Sequence, residues 1–403
     1  MAIDAPADLY WDPFDVDIDR SPYAVWKRLR DEAPVYRNER FDFWGLSRFE
    51  DVAVASRNPQ TFLSGHGTVL ELMGAELRRP GLIIFMDPPE HPALRALVSR
   101  AFTPRRAAEL EEQIRAICSD LLDAQAGARG FDYVADFGAQ LPSRVISALL
   151  GVPESDRPEV LALIDRVFHI EPGVGMVNDV SLGASISLHE YLAGQLRDRT
   201  VHPRPDLLSA LVEVEVDLGE PGGSPRRLSL DEATGFANLL VSAGTETVGK
   251  LLGWAAVVLD DFPDQRRRLV AEPSLIPGAV EELLRFEAPS PVQGRWTKRD
   301  VTLHGVTIPA GSKVLMLTGS AGRDERRYPE PDRFDVARPS DQHLSFGVGI
   351  HFCLGAALAR LEGRVALEET LARYPTWEVD RARTERLHTS TVRGHRKVPI
   401  VVG

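Results

Sequence analysis

The segment Leu344-Ser345-Phe346-Gly347-Val348-Gly349-Ile350-His351-Phe352-Cys353-Leu354-Gly355 constrains this chain more than any other. Two glycines before the cysteine and one after it relieve the usual steric limits on the backbone, so the loop can approach a bulky, flat group. Past Cys353, the apolar residues Leu354, Leu358, Leu361 and Val365 recur at helical spacing, with the pattern running over 356–369. The sulfur therefore falls just before or at the first turn of a buried helix. The partial positive charge of that helix end favours a thiolate, and loop N–H groups can point at the sulfur and tune a metal bound to it. The segment reads as a metal ligand; a buried core thiol is the alternative for the cysteine taken alone.

The same residues resemble the signature of the cytochrome P450 family of haem-thiolate monooxygenases, Phe-x-x-Gly-x-(His or Arg)-x-Cys-x-Gly. Phe346, Gly349, His351, Cys353 and Gly355 meet every position, with Gly347 inside the loop. Ala359-Arg360-Leu361-Glu362 follows the family's continuation of this helix. The resemblance implies a mainly α fold with a small β region, a triangular helical prism formed as one domain over 1–403. It also implies haem b between a long central helix and the cysteine-bearing helix, with Cys353 on the iron. The implied reaction inserts one oxygen atom from O₂ into an organic substrate. Thiolate ligation favours O–O cleavage.

Three further stretches carry chemistry. His91 and Arg95 lie four apart on one helix face and can hold one anionic group; read alone, they are an exposed pair. The resemblance assigns them, with Arg295 and His351, to the haem propionates. A long helix is predicted from the capping box Ser229-Leu230-Asp231-Glu232 to Asp260-Asp261-Phe262-Pro263, nearly apolar all round over 238–256. Ala243-Gly244-Thr245-Glu246-Thr247 interrupts it, where polar groups are costly unless paired or functional. The resemblance gives Glu246 and Thr247 the acid and alcohol positions and the glycine the task of making room for oxygen; a threonine bonded to its own helix carbonyl is the alternative. Glu282 and Arg285 are spaced to pair along a helix. The resemblance buries them with Arg333 as structural support.

The remaining chain reads in order as follows. A helix follows Ser21-Pro22 to about Asp31. Val35-Tyr36 and Phe41-Asp42-Phe43-Trp44 flank an Arg37-Asn38-Glu39-Arg40 turn, and 49–56 is helical. Residues 61–79 form a long irregular segment of the kind that lines sites. The stretch 110–211 is helical, broken near 127–130 and 171–175, the second break separating the helices that form a lid in the family. A Gly/Pro-rich loop covers 219–225. Strands are expected over 301–308, 313–317 and 398–402.

With 47 basic and 59 acidic residues the net charge is −12, which excludes nucleic acid and anionic membranes as general partners. The first residues have neither a basic n-region nor an apolar core, and no apolar run approaches the ~20 residues of a membrane span. A soluble, cytoplasmic monomer is expected, and Cys118 is expected to be a core residue. The chain carries no flavin domain, Fe–S cysteine set or dinucleotide fingerprint, so the resemblance implies electrons from a ferredoxin or flavodoxin with its NAD(P)H-dependent reductase. Arg100, Arg105, Arg106, Arg360 and Arg364 are expected to form a local basic docking patch. Leu70, Met73, Leu240, Ala243, Val292 and Val392 are the expected substrate lining, apolar and suited to a lipophilic small molecule. An H₂O₂-using peroxygenase and a non-catalytic haem or ligand-binding protein are the alternatives.

Overall fold

The computed structural model describes residues 8–74, 80–99, 102–171, 175, 177–216, 225–339 and 342–403. Its axis is the central helix, Leu230–Asp261. The expected capping box starts it: Ser229 Oγ accepts from Glu232 N at 3.2 Å, and the Glu232 carboxylate accepts from Ser229 N at 2.8 Å. Pro263 opens the next helix and ends this one. Because the central helix is apolar on nearly every side, it needs cover all round. Gln140–Leu150, Asp179–Val201, the cysteine helix Ala356–Arg373 and the strand Arg393–Lys397 provide it. Cys118 is buried in the resulting core, as expected.

Beside this helical body lies a sheet of β1 (Val35–Asn38), β2 (Phe43–Leu46), β3 (Phe62–Leu63), β4 (Gln293–Thr297) and β5 (Lys313–Met316), in the order β1-β2-β5-β4-β3. The pairing of β5 with β2 is parallel; the others are antiparallel. Alternation puts Val314 and Met316 in one apolar cluster and Leu315 and Leu317 in another, so the sheet is buried on both faces.

Several expected boundaries move. The first hairpin turns at 39–42, because Asn38 Oδ1 accepts from Phe41 N at 2.9 Å and Asp42 takes φ 52°. Residues 301–308 form a hairpin of Val301–Leu303 and Val306–Ile308, turned by His304 and Gly305 at φ 50° and 78°. A further interruption of 110–211 occurs at Gly151, φ 81°, where a Cβ would lie 2.2 Å from Asp206 Oδ2. Residues 172–174 of the expected lid break, 217–224 around the expected loop and Arg100 lie outside the described residues.

The support network differs in one member. Arg285 donates to both Glu282 oxygens at 2.6 and 2.8 Å, and to the carbonyls of Gly322 and Pro331. The second arginine on Glu282 is Arg338, Nε to Oε1 at 3.0 Å, not Arg333. Arg333 points outward to Glu330, 57% exposed, and offers the network only its carbonyl. Removing Arg338 takes one of two cations from the buried Glu282 carboxylate and leaves Arg285 to compensate it alone. Arg338→Ala should therefore lower unfolding stability by roughly 2–4 kcal/mol, and Arg333→Ala by no more than ~0.5 kcal/mol. Equal losses in urea titrations would reinstate Arg333.

Candidate functional site

The cysteine loop is shaped as its glycines require. Gly347 and Gly349 adopt φ 66° and 79°, and a Cβ on Gly349 would lie 2.7 Å from the Ser56 carbonyl oxygen. Gly355 has a negative φ and no protein atom within 4 Å of a built Cβ, so backbone geometry gives no reason for it. Cys353 N donates to the Phe346 carbonyl at 2.8 Å, closing the loop just ahead of the cysteine helix. The Phe346 ring lies under the Arg360 guanidinium at 4.6 Å. Burial pushes the Cys353 thiol up, opposed by a Gly355 N–H and by the charges of Arg95 and Arg360. The opposing donors are the ones that stabilise a metal-bound thiolate.

Four expected basic residues meet near this loop. The His91 and His351 rings lie 4.1 Å apart, and both histidines sit in the field of Arg95 and Arg295. Arg95 also donates to the carbonyl of Phe352. Burial holds His91 down to about 4 and His351 down to about 2, so both are neutral at ordinary pH; it draws Arg295 down to about 10. His91 is fully buried with neither ring nitrogen bonded among the described residues. The nearby Asp87 carboxylate is engaged by the N–H groups of Ser64 and Gly65, at 2.8 Å each. Ser64 Oγ lies 3.1 Å from His351 Nε2. Desolvated donors gathered without a free counter-charge fit an anionic cofactor edge. Ser64 and Asp87 are members that sequence reasoning missed; they belong to turns whose closure no local pattern encodes.

On the central helix, Ala243 is exposed although the helix is buried on nearly every side. Thr247 Oγ1 donates to the Ala243 carbonyl at 2.9 Å, so the alternative of a helix-bonded hydroxyl is what the geometry has. Gly244 does not face open space; a Cβ there would meet Ile146 Cγ1 at 3.3 Å. Its smallness serves contact with the Gln140–Leu150 helix, a reason the helix's own sequence does not give. Glu246 pairs with Lys250, another missed residue.

The chain belongs to the cytochrome P450 family. Residues 190–395 match the cytochrome P450 family model. The chain is 42% identical over 398 residues to the putative cytochrome P450 123 of Mycobacterium tuberculosis, covering 98% of this chain and 97% of that one. It is 38% identical to the vitamin D(3) 25-hydroxylase of Pseudonocardia autotrophica, over 95% of this chain and 94% of the relative. The structure of cytochrome P450 CYP109Q5 from Chondromyces apiculatus superposes with a TM-score of 0.87 at 34% identity, covering 97% of this chain and 98% of that one. The P450 is accordingly a haem-containing monooxygenase that uses O₂ and redox partners.

The expected docking patch comes out differently. The described arginines of the basic patch each face a carboxylate: Arg360 with Glu281 at 2.6 Å, Arg364 with Glu111 at 2.6 Å, and Arg105 and Arg106 with Glu109 at 3.6 and 2.9 Å. They form a charge-balanced mosaic, not a basic patch. Of the expected lining residues, Leu70, Met73 and Val292 pack together with Trp11 and Trp26. Leu240 belongs to the main core, and Val392 is buried beside Thr389.

Further along the cysteine helix, Glu362 is buried with Oε2 unbonded among the described residues, and burial pushes its carboxyl from 4.5 up to about 8. The folded state keeps this proton between those values while the unfolded chain releases it, so stability falls as pH rises through that window. Glu362→Gln should remove the slope. Its melting temperature should match wild type near pH 4.5 and exceed it by a few degrees near pH 8. A constant difference across that range would show that Glu362 does not titrate this way.

Proposed function

We propose that this P450 oxidises a lipophilic small molecule by hydroxylation or a related oxygen insertion, with haem b bound through Cys353. The convergence of His91, Arg95, Arg295 and His351 beside that cysteine carries the reading. When bound, the haem supplies O₂ binding and activation, with thiolate donation from the protein. Cys353 acts as the iron ligand; Phe346, Gly347 and Gly355 shape its surroundings. Arg95 and Arg295 would offset the propionate charges, and the neutral His91 and His351 could each donate one ring N–H to them, which would give the buried His91 a partner.

Glu246 and Thr247 manage protons. Because the Thr247 hydroxyl spends its hydrogen on the Ala243 carbonyl, its oxygen is left as an acceptor that can hold a water in line. Glu246, one residue earlier, is the acid that moves a proton toward that water. Leu70, Met73, Leu240, Ala243, Val292 and Val392 are proposed to limit the substrate space; the similarity to a hydroxylase of vitamin D(3) supports a large, mostly apolar substrate. A ferredoxin or flavodoxin with its reductase supplies electrons across the charge-balanced face. A single domain over 1–403 working as a cytoplasmic monomer belongs to the same proposal; no described helix is long and apolar enough to cross a membrane.

Cys353→His should abolish the thiolate-type spectrum of the reduced CO complex; survival of that spectrum would remove Cys353 from the iron. Thr247→Ala should leave haem content, substrate-induced spin change and NAD(P)H consumption near wild type. Product per NAD(P)H should fall by roughly tenfold, with peroxide rising in its place. Unchanged coupling would leave Thr247 with only its helix bond.

A further inference from the structure

Lys250 is a lysine where the central helix should have none. From Leu251 to Leu259 the helix is apolar and buried, and the Lys250 side chain is itself only 7% exposed. Its Nζ lies 2.8 Å from Glu246 Oε1, one turn earlier, and 3.2 Å from the carbonyl of His395 on the strand Arg393–Lys397. The strand is notched to receive it: a Cβ on Gly394 would lie 2.7, 2.8 and 2.9 Å from Lys250 Cδ, Cβ and Cγ. Trp254, one turn on, donates from Nε1 to the Arg393 carbonyl at 3.2 Å and holds the notch in place.

A buried ammonium is costly unless its donors are satisfied, and here one goes to a fixed carbonyl and another to the Glu246 carboxylate. The helix turn therefore carries two parallel ties. Thr247 to Ala243 is one, and Glu246 to Lys250 is the other, on the neighbouring face. The strand backbone fixes the lysine, and the lysine fixes the acid.

We propose that Lys250 is a positioning residue for the oxygenation reaction, a clamp that holds the Glu246 carboxylate against the C-terminal strand, with Gly394 providing the space for its stem. The inference rests on reading Glu246 as a proton carrier. In that setting, the clamp sets where the carboxylate waits between transfers. Loss of the clamp frees the carboxylate to wander, so the proton arrives late and reducing equivalents are lost as peroxide.

Infrared spectroscopy and turnover together test this on haem-loaded protein. The Glu246 carboxylate band, assigned by its loss in Glu246→Gln, should be displaced in Lys250→Met and restored in Lys250→Arg. Product per NAD(P)H should fall about fivefold in Lys250→Met, recover in Lys250→Arg, and be no lower in Glu246→Gln/Lys250→Met than in Glu246→Gln alone. An unmoved band in Lys250→Met overturns the clamp. If Lys250→Met does not load haem, Gly394→Ala crowds the lysine stem while keeping its charge; the band must then move in that variant, and an unmoved band overturns the proposal there too. A displaced band with wild-type coupling in both Lys250→Met and Glu246→Gln overturns the proton-carrying role of Glu246 while leaving the clamp in place.

Discussion

Burying cationic and polar donors without a free counter-charge is the constraint on which this structure turns. His91 and Arg95 share one helix, Arg295 comes from β4 and His351 from the cysteine loop, and each of these three segments gives up solvation to bring its donors to the same place. Such a cluster is unfavourable within the protein alone, so its geometry is complementary to a dianionic edge, and binding the cofactor relieves a cost that folding incurs. The cysteine shows the same logic. Burial works against its charged form, while the Gly355 N–H and two arginines are in place to favour it once a cation shares the site.

The surrounding polar networks keep those segments in register. Glu282 gathers Arg285 and Arg338, while Glu287 gathers Arg323 at 3.1 Å and Arg393 at 2.5 Å. Both acids sit in or just beyond the helix Ile276–Phe286, whose Leu284 carbonyl also accepts from Ser345 Oγ at 2.5 Å. One short helix thus ties the loops before the cysteine to the C-terminal strands. Arginine suits this work because its planar fork can serve a carboxylate and several carbonyls at once, as Arg285 does.

Much of this was legible in the sequence wherever a local rule governs geometry. Ser229 and Glu232 announced the central helix, and Gly347 and Gly349 announced a loop freed from the usual limits on the backbone. What escaped depends on contacts between distant segments. Arg333 and Arg338 each close a turn of the same loop, and only the packing of that loop decides which guanidinium turns inward. Gly244 was read from one helix, but its reason lies on another, at Ile146. The arginines of the expected docking patch carry the right charge, but Glu281 and Glu111, opposite Arg360 and Arg364, are contributed by other helices; Glu109 beside Arg105 and Arg106 was within local reach and was passed over. Lys250 did leave a trace, a lone cation at the edge of an apolar run, whose meaning depended on a glycine far along the chain.

The parallel pairing of β2 with β5 has a consequence for how such a chain comes into being on the ribosome. Trp44 and Gly45 find their partners in Val314 and Leu315 only after most of the chain has been made. At a synthesis rate of ~5–20 residues per second, the wait is on the order of tens of seconds. During that time the aromatic residues Tyr36, Phe43 and Trp44 belong to a two-stranded ribbon of the kind that is at best marginally stable alone. The nascent protein therefore spends most of its synthesis with an open, sticky edge that only the later strand covers.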